Sequence, residues 1–264
     1  MLLSEVAQDL PGLLGTVGDA DFTEISIDSR RVSSGSLFVA TKGARSDGHD
    51  YIESAIQAGA AGVVHSNESS FEVPSIRVVD TVDALWRISK KFYGEPSSEL
   101  IMVGITGTNG KTTTAWITAQ ALIALGVDAA YIGTLGAIHR QETFDIGFTT
   151  PFPPETFSLL KSLKGRGATA AVMEVSSHAL SQRRIDGVEF DVAAFTNLSQ
   201  DHLDLHGDME SYFQAKRRLF CDLETKKQLK GVSNADDEYG RRLIEEGLAQ
   251  VSFGTTNGRI RIVD

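Results

Sequence analysis

The chain has 264 residues and a formal net charge of -10, with 35 Asp and Glu against 25 Lys and Arg. That acidity argues against nonspecific nucleic-acid binding, which needs a basic footprint, and a composition of 41% hydrophobic and 23% charged residues is that of a globular protein with no apolar run of membrane-spanning length. The single cysteine, Cys221, excludes an internal disulfide, fits a reducing cytoplasm and is expected to pack on a helix.

The start of the chain, Met1-Leu-Leu-Ser-Glu-Val-Ala-Gln-Asp9, lacks the basic region of a signal peptide. Residues 1–94 read as a small α/β domain. Strands are predicted over 36–40, 61–65 and 75–79, and a helix over 50–58 that ends at Gly59. A second helix is predicted over 81–93: Thr81 is a plausible N-cap, Val82, Leu85, Trp86, Ser89, Phe92 and Tyr93 line one stripe, and Gly94 can close the end. Glu95-Pro-Ser-Ser98 reads as a linker. Residues 95–264 then alternate more regularly. Apolar strands over 100–105, 129–132, 168–175 and 190–195 are separated by helices over 112–125, capped by Gly126, and 154–164, ended by Gly165. This pattern predicts a mostly parallel sheet covered on both faces. Ligands of such sheets sit beyond the carboxyl ends of the strands, where three polar clusters fall.

The first is Gly107 to Thr113, inside Met102-Val-Gly-Ile-Thr-Gly-Thr-Asn-Gly-Lys-Thr-Thr-Thr114. A strand entering a glycine-rich turn that opens a helix makes a cradle of backbone N–H groups for an anion. Lys111 would reach the terminal phosphates and the Thr112 hydroxyl would ligate magnesium. The common phosphate loop has glycine where this chain has Ile105, so Gly-Thr-Asn-Gly-Lys-Thr is a shorter and more selective form. The second is Met173-Glu-Val-Ser-Ser-His178, whose Glu174 is placed at a strand end for magnesium. His178 alone reads as a structural hydrogen-bonder. Arg183 and Arg184 read either as a phosphate or carboxylate clamp or as surface charge. The third is Thr196-Asn-Leu-Ser-Gln-Asp-His-Leu-Asp-Leu-His-Gly-Asp208. There His202 would bind a second metal with Asp201 orienting it, or the loop is simply polar and ends in Asp208 as N-cap of a helix over 209–220. Lys216, two turns into that helix, is from spacing alone a surface lysine.

These motifs, with Asn234-Ala-Asp-Asp237 and, upstream, Ile27-Asp-Ser-Arg30, Gly35-Ser-Leu-Phe-Val-Ala40, Lys42-Gly43 and Asp47-Gly48, occur in one order. The set resembles the Mur ligase family from about Ile25 to the end of the chain. The resemblance implies an N-terminal UDP-binding domain over 1–94, an ATPase-like central domain over 95–264 with a phosphate loop, and a missing third domain that would take the incoming amino acid. It implies that Ile27, Ser29, Ala44, Arg45 and Ser46 hold the UDP part of the substrate. Thr149, Thr150, Ser176, Gln182 and Arg184 would hold a muramoyl-dipeptide. Gly107, Thr108, Asn109, Gly110, Lys111, Thr112 and Thr113 would hold ATP; Thr112, Glu174 and His202 would hold Mg2+; and Lys216 falls on the lysine that the family carbamylates. Lys111, Lys216 and His202 are thereby the catalytic candidates. One departure is Phe148, where the family often has Asn; the proline-rich run Thr149-Thr-Pro-Phe-Pro-Pro154 is another.

The activity implied is an ATP-dependent amide-bond ligase that adds diaminopimelate or lysine to UDP-MurNAc-L-Ala-D-Glu through an acyl phosphate, in the cytoplasm and as a monomer. Three other readings stand beside it. A folylpolyglutamate synthetase shares the ATP loop but not the UDP-type upstream segment. A switch GTPase would show an Asn-Lys-x-Asp base reader, which is lacking. A binding module would capture the UDP-precursor and nucleotide without turnover.

Overall fold

The computed structural model of the chain describes residues 1–43, 46–223 and 227–261. Ala44 and Arg45 of the expected UDP segment lie outside the described residues. The chain separates into two compact units, Met1–Gly94 and Glu95–Asp264.

The first unit contains α1 (Leu3–Ala7), β1 (Leu13–Val17), β2 (Glu24–Ser26), β3 (Ser36–Val39), α2 (Ile52–Gln57), β4 (Gly62–His65), β5 (Ser75–Val78) and α3 (Thr81–Tyr93). Its sheet runs β1-β5-β4-β3-β2, parallel except where β1 meets β5. The inner strands read as continuous apolar runs because both faces are covered. Leu37, Val39, Val64 and Ile76 pack with Leu3, Val6, Leu85 and Ile88, while Phe38 and Val63 pack with Ile52 and Ala55. Asp80, rather than Thr81, caps α3. Its carboxylate accepts from the amides of Val82 (2.8 Å) and Asp83 (3.1 Å), and Thr81 becomes the first helical residue. Gly94, at φ 80°, ends the helix in the left-handed conformation that glycine tolerates. Ile27 and Ser29 follow the carboxyl end of β2, Ser46 comes later in the chain than the adjacent parallel strand β3, and Ile27 also packs against the core.

The second unit contains β6 (Ile101–Thr106), α4 (Lys111–Ala124), β7 (Ala129–Gly133), β8 (Gly136–His139), β9 (Glu142–Phe144), α5 (Pro153–Gly165), β10 (Ala170–Glu174), α6 (Ser177–Ser181), β11 (Val192–Phe195), α7 (Leu203–His206), α8 (Met209–Cys221), β12 (Lys230–Asn234), α9 (Glu238–Glu245), β13 (Val251–Gly254) and β14 (Ile260–Arg261). The order is β14-β13-β12-β11-β6-β10-β7-β8-β9, parallel from β14 to β7 and antiparallel through β8 and β9. The four predicted strands form its centre, and their register aligns the carboxyl ends: Glu174 lies beside Ile105, and Phe195 beside Thr106. Among the described residues, no helix is long and apolar enough to cross a membrane.

Two expectations change here. The stretch 95–98 is not a slack linker: Pro96–Ser98 form a 3-10 turn, and buried Ser97 accepts a hydrogen bond from the Glu189 amide (3.2 Å). Cys221 ends α8 exposed rather than packed. Its thiol contacts Asp222, and local desolvation of the sulfur together with that carboxylate pushes its pKa up to about 12, far from a reactive thiolate.

Gly104, in mid-β6, is needed for space. A Cβ there would lie 2.9 Å from the Phe190 ring and 3.2 Å from Leu219. Gly104→Ala is expected to destabilise the chain by about 1–3 kcal/mol through overpacking under the loop, read as a lower denaturant midpoint. An unchanged midpoint would show that Phe190 yields.

Candidate active site

The carboxyl ends of β6, β10 and β7 open into one cavity of about 550 Å³. Its floor is the turn after β6. Gly107 and Gly110 sit at φ 147° and 82°, and α4 begins at Lys111. The turn is pinned from the side by residues that follow β11. Thr108 N–H donates to Asn197 O (2.8 Å), Asn109 N–H to Asn197 Oδ1 (3.0 Å), and Thr196 Oγ1 to Asn109 O (2.7 Å). The approach is so close that a Cβ on Gly107 would meet Thr196 Oγ1 at 1.9 Å. The first amides of a helix lack intrahelical partners. Gly110, Lys111 and Thr112 at the start of α4 line the cavity, so the positive end of the helix faces it.

Two amines converge on one carbonyl beneath the turn. Lys111 Nζ donates to Gly107 O and Thr108 O (both 2.9 Å), and Lys216 Nζ donates to Gly107 O (2.8 Å). Burial lowers the pKa of Lys111, while the charges of Glu174 and Asp201 oppose that shift. Lys216 is 1% exposed, which corrects the surface reading. Burial, followed by the positive charge of Lys111, brings its pKa down to about 7. It lies 4.5 Å over the ring of Tyr212, whose hydroxyl is 3.3 Å from Thr108 Oγ1.

Glu174 ends β10 fully buried. Its carboxylate accepts from Thr112 Oγ1 (2.8 Å), from the Thr134 amide (2.9 Å) and from the Tyr131 hydroxyl. Burial and this last bond raise the Tyr131 pKa. Thr134 and Tyr131 were not anticipated. Both belong to β7 and the turn after it, so the strand-end rule that selected the other clusters points to them as well.

His202, at φ 52°, and His178 line the cavity with ring centroids 4.9 Å apart. Burial lowers the His178 pKa. His206 stacks on Tyr212 with centroids 4.9 Å apart. On another part of the wall, Thr149, Thr150, Ser176 and Arg184 come together. The Thr150 hydroxyl is already engaged, donating to Glu174 O (2.9 Å) and accepting from the Ser176 amide (3.1 Å). Gln182 Oε1 accepts from Arg184 Nε (2.9 Å) and Nη2 (2.6 Å). Arg183 instead pairs with Asp186 (2.7 Å). Of the expected site residues in this unit, Gly107, Thr113, Gln182 and Lys216 stand outside the cavity lining.

The donor set suits a hard cation. Thr112 and Glu174 already bring a hydroxyl and a carboxylate together on the cavity wall. Among the described residues there is no ready-made cage of three or more His, Cys, Asp or Glu. Magnesium does not need one, since it binds through one or two carboxylates with phosphates and waters completing the shell.

Comparison with known proteins adds to this geometry. A family profile described as the Mur ligase middle domain matches residues 105–262, and one described as the Mur ligase family catalytic domain matches residues 21–93. The UDP-N-acetylmuramoyl-L-alanyl-D-glutamate–2,6-diaminopimelate ligase of Geobacter sulfurreducens is 47% identical over 234 residues, covering 86% of this chain and 46% of that protein. Its counterpart in Pseudomonas putida is 46% identical over 228 residues, covering 84% and 45%. A solved structure of an enzyme with the same name superposes with a TM-score of 0.76 at 28% identity, covering 92% of this chain and 51% of that one. The chain spans about half the length of the curated relatives it matches.

Proposed function

The chain belongs to the Mur ligase family, and from that premise we propose that it carries the precursor- and ATP-binding part of a ligase that extends UDP-MurNAc-L-Ala-D-Glu by one amino acid. The observation that carries this reading is the buried Glu174 carboxylate, hydrogen-bonded to Thr112 directly across from the turn that presents Lys111, all within one cavity.

In this reading the triphosphate tail of ATP lies along residues 107–113, with the α4 amides and Lys111 meeting its terminal oxygens. Lys111 leaves the carbonyls of Gly107 and Thr108 for the phosphoryl group, where a fixed cation does most for the reaction. The D-glutamyl side-chain carboxylate of the precursor attacks the γ-phosphorus. A C–O–P bond forms, the bond to the β-phosphate oxygen breaks, and ADP leaves. The amine of the incoming residue then attacks the acyl carbon, phosphate departs, and the amine loses a proton. Arg184 and Thr149 face the dipeptide. Thr112, Glu174 and His202 would hold magnesium, which when bound supplies neutralisation of charge on the transferring phosphoryl group. The Glu174 carboxylate is held in place for that task by its three donors. Lys216, with a pKa of about 7, keeps a share of neutral amine at physiological pH. A neutral amine is the form that adds CO2 to give a carbamate, an anionic oxygen ligand.

The alternative reading is a module that binds both ligands without turnover. Calorimetry with UDP-MurNAc-L-Ala-D-Glu and with a non-hydrolysable ATP analogue, beside an ADP-release assay with diaminopimelate and with lysine, separates the two. Binding with release supports the ligase; binding without release supports the module. No binding of either ligand refutes both.

A further inference from the structure

We infer that Phe148 and Phe152 form an aromatic clamp that holds the Arg184 guanidinium in place for a ligand carboxylate, making Phe148 a positioning residue that sets specificity for the peptide end of the substrate. The ligand in this inference rests on the ligase reading; the clamp rests on geometry. The Arg184 guanidinium carbon lies 4.0 Å from the Phe152 ring centroid and 4.9 Å from that of Phe148. The two rings meet edge to face, 5.6 Å apart at 84°. Aromatic faces attract a guanidinium and fix its plane.

Hydrogen bonds fix the rest. Nε and Nη2 donate to Gln182 Oε1 and Nη1 donates to Thr150 O (3.1 Å). A guanidinium has five N–H donors. With three engaged among the described residues, two remain, one on each terminal nitrogen. The engaged acceptors, an amide and a backbone carbonyl, carry no charge, and the Glu155 carboxylate acts on Arg184 through its field rather than through a direct bond, so no ion pair occupies the guanidinium among the described residues. A pair of terminal N–H groups on a fixed plane is the arrangement that a carboxylate takes in two parallel bonds.

Phe148 is 53% exposed while lining the cavity, so the core does not require it. An asparagine at this position would offer a ligand its own hydrogen bonds. Phenylalanine offers none, and it acts through Arg184. Without the ring, the long arginine side chain must be ordered at the moment of binding, which costs affinity.

The test pairs calorimetry with NMR on the full chain. Phe148→Ala is expected to weaken binding of UDP-MurNAc-L-Ala-D-Glu about fivefold to tenfold, with Phe148→Tyr within about twofold of the parent. Binding of UDP-MurNAc, which lacks the peptide carboxylates, and of an ATP analogue is expected to be unchanged in both variants. ¹⁵N relaxation at Arg184 Nε should show an ordered side chain in the parent and in Phe148→Tyr and a mobile one in Phe148→Ala. Unchanged relaxation in Phe148→Ala overturns the clamp whatever the ligand. Equal weakening of both sugar nucleotides overturns the peptide-specific role. If the parent chain binds neither sugar nucleotide, the ligase reading fails instead, and a relaxation change in Phe148→Ala would still uphold the clamp.

Discussion

Replacing Lys111 by Ala will weaken binding of a magnesium–ATP analogue by about 10²–10³-fold, a loss of the size seen when a single preorganised donor is removed from a developing or resident anion. Binding of UDP-MurNAc-L-Ala-D-Glu should be unaffected. The size of the effect follows from the place of the ammonium group. It is largely desolvated, and its hydrogen bonds go to Gly107 O and Thr108 O, carbonyls of the turn itself. Among the described residues, no carboxylate neutralises it through a direct bond, so its charge is available to phosphate oxygens in a poorly screened setting. The α4 amides and the turn geometry survive the substitution, because Thr196, Asn197 and Ser199 hold the turn through Thr108 and Asn109. Calorimetry beside circular dichroism checks the outcome. Parent-like affinity for the analogue in a folded Lys111→Ala chain would mean that this turn does not grip a triphosphate. Under the proposed ligase reading, ADP release should vanish with the same substitution.

How much of this site was legible beforehand depends on sequence distance. Residues 102–114 announce their strand, turn and helix locally, because the apolar run, the glycines and the hydroxyls each dictate backbone conformation within a few positions. The central strands were legible for the same reason: a strand buried on both faces, such as Ala170–Glu174, reads as a continuous apolar segment ended by a polar residue. Helix α3 was legible at both ends, yet its cap was misplaced by one residue, since Asp80 and Thr81 are both acceptable capping types and only the extended backbone at Asp80 decides between them. The hairpin of β8 and β9 was missed because Glu142 and Thr143 are exposed and its strands lack an apolar run. Strand β1 is exposed along its whole length. Lys216 was least legible of all. What buries it is a carbonyl 109 positions earlier in the chain, and no helical period in 209–221 encodes that contact. Tyr131 and Thr134 fall between these cases: their approach to Glu174 needs the parallel pairing of β7 and β10, which depends on the fold rather than on spacing.

The burial of Lys216 leads to the second large effect, which is on stability. The folded-state pKa is about 7, against 10.5 for an unperturbed lysine. Below pH 7 both the folded and the unfolded chain carry the proton, and the folded state bears the full cost of a buried cation. Between pH 7 and 10.5 the unfolded chain binds a proton that the folded chain does not, so this group's contribution to stability rises with pH across that window. Lys216→Met keeps the length and the apolar stem but removes the charge. It is therefore expected to be more stable than the parent by about 2–4 kcal/mol near pH 6.5, because each tenfold loss of proton affinity on folding costs about 1.4 kcal/mol. The advantage should fade by pH 10, where the parent regains a neutral amine that still donates to Gly107 O. Denaturant titrations of both chains at several pH values in CO2-free buffer measure the difference, and other titrating groups cancel in it. Parallel stability–pH curves would show that Lys216 is not desolvated as its burial indicates. Lys111 supplies the second cause of the depressed pKa, so Lys111→Ala in the same experiment should move the onset of the rise upward in pH. That shift ties the two amines beneath the turn into one electrostatic unit: a bound anion that draws Lys111 away from Gly107 O also relieves Lys216.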